Sequence, residues 1–417
     1  MRAFLLVGGV TAAGLFTGAQ LTRTAMATGA DRYRDLDTLA QALHHIEAQY
    51  LGTTTTRQLV YGAIDGMMDE LDPHSVFLDP DDMAAAQVRT EGVYSGIGVE
   101  LKQIQGKITV VRTVPTSSAD GTLVRGDVLE NVNGESLDDL NQASKLLQGP
   151  EGSTVVLGIS RKGALLTHTL TRTKLRDRTV RVSKLNKDWA FAEVSRFQRN
   201  TASDLAQGLK ITAPKEGVII DLRGNAGGLL DEAVQVVDLF ASEGTIVETK
   251  GPNDVELESH KAKKFSPYSH LSTIILTDGD SASASEIVAG AMRSLSGSRL
   301  VGTNTYGKWS VQRMYVFEDQ SAIKLTVARY HIEDAGSGTD LVGLKPDHIV
   351  ERNTAQIKAI VRLRELTQEI PEAHTLLDVL SEKEGGTVAQ PHLGPLSERL
   401  TLDPQLAAAW TLALDNH

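Results

Sequence analysis

Ser281-Ala282-Ser283-Ala284-Ser285-Glu286 forms a small-residue turn that runs straight into an apolar helical segment, Ile287 to Leu295. A lysine follows in the loop Thr305-Tyr306-Gly307-Lys308, and Gln312 lies four residues beyond it. A serine hydroxyl is a weak nucleophile until a base removes its proton. Lysine can be that base only when burial lowers its pKa enough to make the amine neutral. The pair describes a Ser/Lys hydrolase, a variant of triad logic that needs neither a catalytic histidine nor a metal. From sequence alone Ser281 and Ser285 rival Ser283 as nucleophile, and Ser283 on its own reads as a plain N-cap. Lys308 alone reads as a solvated surface residue, and Gln312 as a strand residue facing water.

A second feature is the loop Arg223-Gly224-Asn225-Ala226-Gly227-Gly228. Glycines let a backbone approach a substrate closely. The loop could also be a plain helix entrance, and it lacks the spacing of either phosphate-binding motif. His74, in Leu71-Asp72-Pro73-His74-Ser75, invites a Ser/His/Asp reading. The alternative is a structural role, holding a helical cap to the core. Glu286 is a first-turn glutamate, which a helix N-terminus favours in any case. No His/Asp/Glu cluster has metal-ligand spacing, so neither a metal nor a cofactor is expected.

The elements that must position these residues fall into blocks. Leu36, Leu39, Leu43, Ile46 and Tyr50, then Leu59, Ile64 and Met67, recur at helical spacing, so 31–90 reads as helical. Residues 91–174 are short alternating runs punctuated by glycine, with a hairpin signal at Asn133-Gly134 and one helix from Asp138 to Leu147. Val218-Ile219-Ile220-Asp221-Leu222, Ile274-Ile275-Leu276 and Leu300-Val301-Gly302 read as buried strands alternating with helices. That order predicts crossover connections and a mainly parallel sheet, with Gly227-Gly228 and Ser283 at the carboxyl ends of strands. From 351 onward the pattern is helical again on Ile357, Ile360, Val361 and Leu366. Gly385-Gly386 and Pro391 break it, and a short helix is expected near Leu406 to Leu414.

Composition limits the partners. The 417 residues, 41% hydrophobic and 23% charged, imply two or three globular domains. A net charge of -11 argues against nucleic acid. The absence of cysteine excludes thiol catalysis, disulfides and Cys-based zinc sites. Arg2, an uncharged stretch from Ala3 to Ala19 and Ala25-Met26-Ala27 suggest a signal peptide with an A-x-A cleavage site. A retained membrane anchor and an ordinary buried helix are the alternatives, the stretch being short against the ~20 residues a span needs.

Taken in order, several segments resemble the carboxyl-terminal processing (tail-specific) peptidases, Ser/Lys serine peptidases of the cell envelope and of chloroplasts that carry a PDZ domain. Leu71 to Ser75 looks like that family's LDPHS segment, and Ser95-Gly96-Ile97-Gly98-Val99-Glu100-Leu101 like its first PDZ strand. Gly126-Asp127-Val128-Leu129 and Gly149-Pro150-Glu151-Gly152 are similar to later PDZ markers. Asp221-Leu222-Arg223-Gly224-Asn225 with Gly227-Gly228 resembles its DLRxNxGG loop, and Ser281 to Ile287 its SASASEI turn. Gly307-Lys308 with Gln312 resembles its GKxxxQ site, and Gly343-Leu344-Lys345-Pro346-Asp347 its closing GxxPD. Each motif is weak alone; their common order carries the resemblance, from about Asp31 to Val350.

The resemblance implies Ser283 as nucleophile, Lys308 as general base and Gln312 as the residue orienting the lysine. It implies an oxyanion hole from backbone N–H groups at Gly227, Gly228 and Ala284, and docking of substrate C-termini at Gly96, Ile97, Gly98 and Val99. The expected fold is α/β and multi-domain: a crotonase-like peptidase core at 175–350, an inserted β-rich PDZ domain at 91–174, and helical N- and C-terminal extensions. Those extensions are a cap at 28–90 and the segment 351–417, after a signal peptide or anchor at 1–27. The expected activity is endopeptidase cleavage of protein substrates near their C-terminus, in the cell envelope, periplasmic or otherwise extracytoplasmic. A homo-oligomer, an adaptor partner and an N-terminal membrane anchor stay open. Two departures stand out: Trp309, where the family usually has glycine, and Ala226, where it usually has proline. Trp309 could reshape the pocket, desolvate the lysine or block it. It is the one feature favouring a catalytically dead PDZ adaptor; a structural assembly protein is the third reading.

Overall fold

The computed structural model describes residues 34–333, 342–360 and 396–415. The expectations for 1–27, for the stripe at Val361 and Leu366, and for Gly385-Gly386 and Pro391 lie outside the described residues. Two units are formed, one from the residues up to Asp79 with Met314–Leu325, the other from Pro80–Arg313 and the residues from Thr326. Among the described residues no helix is long and apolar enough to cross a membrane.

The first unit contains helix α1 (34–49) and helix α2 (Thr56–Asp69). A reciprocal capping box starts α2: Gln58 N–H donates to Thr55 Oγ1, and Thr55 N–H donates to Gln58 Oε1. Asp72 then organises the next turn, accepting from His74 N–H at 2.9 Å and the Ser75 hydroxyl at 2.7 Å. The 31–90 periodicity predicts helix through this stretch, but helix does not resume directly. Val76–Leu78 is a strand, β1, antiparallel to Ala322–Lys324. Its partner lies far along the chain, so no local pattern signals it.

The second unit begins with α3 (Pro80–Glu91). A β-rich module follows: β2 (Val93–Gly96), β3 (Val99–Ile104), β4 (Lys107–Thr113), β5 (Val128–Val132), β6 (Glu135–Ser136), α4 (Leu140–Leu147), β7 (Thr154–Arg161), β8 (Ala164–Thr171) and β9 (Thr173–Arg176). Its main sheet has the order β3-β4-β5-β7-β8, which leaves β3 at an edge, and β2 pairs with β9. Asn133 and Gly134 both take positive φ, 53° and 84°, in the two-residue turn closing the β5–β6 hairpin; this is the twist-matched turn that Asn-Gly signals. Ile97, Val110, Leu129, Val132, Ala143, Leu157 and Ile159 make up the buried core here.

The rest is an α/β layer structure. The elements are β10 (Val180–Lys184), β11 (Trp189–Val194), α5 (Thr201–Thr212), β12 (Gly217–Asp221), α6 (Leu230–Asp238), β13 (Thr245–Lys250), β14 (Glu256–Lys261), β15 (Ser272–Thr277), α7 (Ala284–Ser296), β16 (Arg299–Gly302), β17 (Ser310–Val316), β18 (Ala322–His331) and β19 (His348–Ile349). A six-stranded sheet has the order β10-β11-β12-β15-β16-β19, parallel throughout except for β10. Alternation along its strands separates two faces. Ala190, Ala192, Val218, Ile220, Ile275 and Leu300 pack with residues of α5, α6 and α7. Trp189, Phe191, Ile219, Ile274, Leu276 and Val301 pack instead with Leu406, Ala409 and Ala413.

Those last three lie on a C-terminal helix. After α8 (354–360), the described chain continues in α9 (Leu396–Leu402) and α10 (Pro404–Asp415). The terminal helix expected near Leu406 to Leu414 is therefore present, and it packs against one face of the sheet over β11, β12, β15 and β16. Without α10 that face would expose Phe191, Ile219 and Leu276 to water, at about 1.5–3 kcal/mol for each large side chain.

Candidate active site

Three adjacent parallel strands, β12, β15 and β16, end on the same side of the sheet, and the loops that follow them carry the candidate residues. The loop after β15 leads to Ser283, whose φ of 56° and ψ of -115° lie in a region that costs an ordinary residue of order 1–3 kcal/mol. Such a strained strand-to-helix turn lifts a side chain clear of the backbone, as nucleophile elbows do. The flanking serines are committed elsewhere. Ser281 donates its hydroxyl to the Leu222 carbonyl at 2.8 Å, and Ser285 donates to the Asn225 carbonyl at 2.7 Å. Both are fully buried, while Ser283 is half-buried.

Glu286 joins this turn to the lysine loop. Its carboxylate is fully buried and accepts four hydrogen bonds. Oε1 receives the Thr305 hydroxyl at 2.5 Å and Gly307 N–H at 2.7 Å. Oε2 receives Lys308 N–H at 2.8 Å and Ser283 N–H at 2.9 Å. Sharing one oxygen, the backbone nitrogens of Ser283 and Lys308 are no more than about 5.7 Å apart, the limit set by these two bond lengths. The same glutamate sits in the first turn of α7, where the helix dipole favours negative charge.

The lysine loop is pinned from two further directions. Tyr306 N–H donates to the Ser281 carbonyl at 2.9 Å. Thr305 N–H donates to the Leu344 carbonyl, and Leu344 N–H returns a bond to Thr305 Oγ1 at 2.6 Å. Asp347 accepts Leu300 N–H at 2.8 Å. The segment Gly343 to Asp347 thus clasps the loop that carries Lys308.

Trp309 points into the core. It is 1% exposed and donates its ring N–H to the Val342 carbonyl at 2.8 Å. Val311 packs against the same core, so strand alternation turns Ser310 and Gln312 to the other side. There the Gln312 amide donates to Thr326 Oγ1 at 3.2 Å. Lys308 is half-buried.

The glycine loop closes against the serine turn. A Cβ on Gly227 would lie 2.7 Å from the Ala282 carbonyl oxygen, 2.9 Å from Ser283 Cβ and 3.0 Å from the Ala284 nitrogen. Only glycine permits that approach, and its φ of 100° needs glycine as well. Gly227 N–H donates to Asn225 Oδ1 at 2.9 Å, so this residue contributes closeness and not a donor. Phe197 bonds the carbonyl of Gly227 and the N–H of Leu229. Gly228, with φ 147°, and Ala284, the first residue of α7, carry the other two candidate N–H groups at this junction. Buried Asn225 is the hub: its amide donates to the Val194 carbonyl, and its own carbonyl accepts Ala282 N–H and the Ser285 hydroxyl.

Of the remaining candidates, Gly96, Ile97, Gly98 and Val99 lie at the junction of β2 and edge strand β3. The Ile97 side chain is buried in the module core, so only its backbone is available there. Gly98 has φ 77°, and a Cβ on it would sit 2.2 Å from Ser117 Cβ. His74 belongs to the first unit, and its backbone N–H serves the Asp72 turn. Among the described residues no group of three or more His, Cys, Asp or Glu is placed to hold a metal ion.

Sequence reasoning undervalued Glu286 and Asn225 and did not single out Thr305. The signal for Glu286 was present: serine followed by glutamate three positions later, ahead of an apolar run, is a capping-box pattern. Nothing local marks Asp403 and Gln405, which bind Arg223 from α10.

Residues 188–350 match the family model described as Peptidase family S41, and 109–161 match one described as a PDZ domain. Residues 10–82 match a model described as the activating protease CtpB N-terminal domain. A carboxy-terminal-processing protease of Bartonella bacilliformis is 30% identical over 355 residues, covering 82% of this chain and 81% of the relative. The carboxy-terminal processing protease CtpB of Bacillus subtilis is 30% identical over 408 residues, covering 90% and 83%. Among solved structures, a photosystem II D1 C-terminal processing protease is 26% identical, with a TM-score of 0.46, covering 77% of this chain and 90% of that one.

Proposed function

The chain belongs to peptidase family S41, with a PDZ domain, and from that premise we propose that it is a Ser/Lys endopeptidase cleaving proteins near their C-terminus. Ser283 is the nucleophile, Lys308 the general base and Gln312 the residue that orients the lysine. The observation that carries this assignment is the Glu286 carboxylate, one oxygen of which holds the backbones of both Ser283 and Lys308.

The neutral amine of Lys308 takes the Ser283 proton as the hydroxyl oxygen attacks the scissile carbonyl. Negative charge then develops on the carbonyl oxygen. The N–H groups of Gly228 and Ala284 face it, the latter at the positive end of α7. Gly227 lets the two strands of this hole come together. Collapse expels the amine, which receives its proton from the Lys308 ammonium. Water deprotonated by the same lysine releases the acyl group from Ser283.

The PDZ domain docks the substrate. An extended C-terminal tail adds to edge strand β3, its side chains meeting the partly buried Val99 and Leu101, with its carboxylate at the Gly96-Ile97-Gly98 turn. The core is read as crotonase-like, and the working place as the cell envelope, reached through residues 1–27 as a cleaved signal or an anchor. The adaptor reading loses its motive, because Trp309 is packed in the core.

The test is proteolysis of a loosely folded protein with an apolar C-terminal tail, by a chain beginning at residue 28. Cleavage should vanish in Ser283→Ala and in Lys308→Ala, while tail binding persists. Cleavage surviving either change would refute the dyad. A parent that binds tails without cutting them would restore the adaptor.

A further inference from the structure

Arg223 stands at the root of the glycine loop, and its side chain is 2% exposed. Two carboxylates grip it in fork geometry. Asp221 accepts from Nε at 2.8 Å and from Nη2 at 2.7 Å. Asp403 accepts from Nη1 at 2.9 Å and from Nη2 at 2.8 Å, and Gln405 Oε1 accepts from Nη1 at 3.0 Å. Asp221 is the strand's own residue. Asp403 and Gln405 lie at the start of α10, 180 and 182 positions away.

A buried ion cluster is a poor stabiliser, because desolvation offsets most of the attraction. Stability alone therefore gives little reason to build one here. Such a cluster does fix geometry, since a planar guanidinium held by two forks has one orientation. The geometry it fixes belongs to the loop. After Arg223, Gly224 N–H donates to Asp278 Oδ1 and Asn225 N–H to the Leu222 carbonyl. The Asn225 carbonyl then accepts Ala282 N–H, one residue before Ser283. The Gln405 amide also donates to the Val350 carbonyl, two residues before Arg352, which pairs with Asp278 at 2.7 Å.

We propose that Asp403 and Gln405 are positioning residues for acyl transfer, acting through Arg223 to hold the 222–228 loop against the serine turn. The C-terminal helix is then part of the floor of the active site as well as a cover for the sheet. This rests on the Ser283/Lys308 reading and adds to it a residue set remote in sequence.

Asp403 also caps α10, accepting Leu406 N–H at 3.1 Å. The decisive variant is therefore Asp403→Ser in the full chain, since serine keeps a good cap and loses the fork. It is compared with Asp403→Asn, whose amide oxygen can still accept one guanidinium N–H, and with Gln405→Ala, which leaves the cap intact. The readouts are kcat and KM on a tailed protein substrate, tail-peptide binding, melting temperature, and the labelling rate of Ser283 by a fluorophosphonate. We expect kcat and labelling to fall at least about tenfold in Asp403→Ser with KM and tail binding unchanged, and Asp403→Asn to recover part of the loss. Parental kcat and labelling in a folded Asp403→Ser would overturn the proposal, even with a lowered melting temperature. If that variant does not fold, parental kinetics in Asp403→Asn and Gln405→Ala would overturn it equally. A parent whose cleavage survives Ser283→Ala would instead refute the dyad itself.

Discussion

Replacing Glu286 by glutamine tests how far the site depends on one carboxylate. The native group accepts four donors, two on each oxygen. An amide keeps only one acceptor oxygen. In its best orientation that oxygen stays with Ser283 N–H and Lys308 N–H, and the NH₂ faces Thr305, whose hydroxyl can turn to accept. Gly307 N–H then has no acceptor, a loss of about 1–3 kcal/mol for a buried donor. The retained bonds change from charge-assisted to neutral, at roughly half their former strength. Together these amount to about 2–4 kcal/mol of lost order where the proposed nucleophile and base meet. If that order is needed mainly in the transition state, kcat falls by about 30- to 1,000-fold. Glu286→Ala, which removes all four bonds, should fall further. The assay is cleavage of a tailed substrate under saturation, with tail binding and thermal melting on the same samples. A folded Glu286→Gln whose kcat stays within about threefold of the parent would refute the reasoning.

Three other changes separate neighbouring effects. Trp309→Gly installs the glycine usual in the resembled family, yet it empties a site that is 1% exposed. It should cost at least the ~3–5 kcal/mol of a core Trp→Ala change, read as a lower denaturation midpoint, with no gain in activity. Gly227→Ala should abolish cleavage with tail binding intact, because the added Cβ meets Ala282 and Ser283 below 3 Å; near-normal turnover would show that the loop can retreat. In the first unit, bonds from the Ser321 hydroxyl, then the Tyr61 hydroxyl, hold Asp319 down to about 2. A depressed carboxyl contributes stability above its usual value, 3.8, and that contribution is lost as pH falls toward about 2. NMR titration should find Asp319 in that range and Ser321→Ala moving it upward; no movement would refute the assignment.

The hairpin at Asn133-Gly134, the buried strands at 218–222, 274–276 and 300–302, and the turn into the Ser283 helix were legible because each depends on short-range rules. Positive φ, alternation and capping act within a few residues. Strand Val76–Leu78 was not legible, because its pairing partner at Ala322–Lys324 is remote.

What the sequence determined by itself was a candidate chemistry and the order of its residues along the chain. A serine turn, a glycine loop and a lysine loop, each placed after a predicted strand, already implied a site at the carboxyl ends of a parallel sheet. The tertiary structure decided that the Ser281 and Ser285 hydroxyls bond to carbonyls of the loop after β12, which is what favours Ser283 in the proposed dyad. It decided that Glu286 holds two loops and does more than favour a helix end. It turned Trp309 into the core, and it brought Asp403 beside Arg223. Each of these depends on which residues burial brings together across long separations, and a buried donor or charge takes its partner from whatever the fold places there.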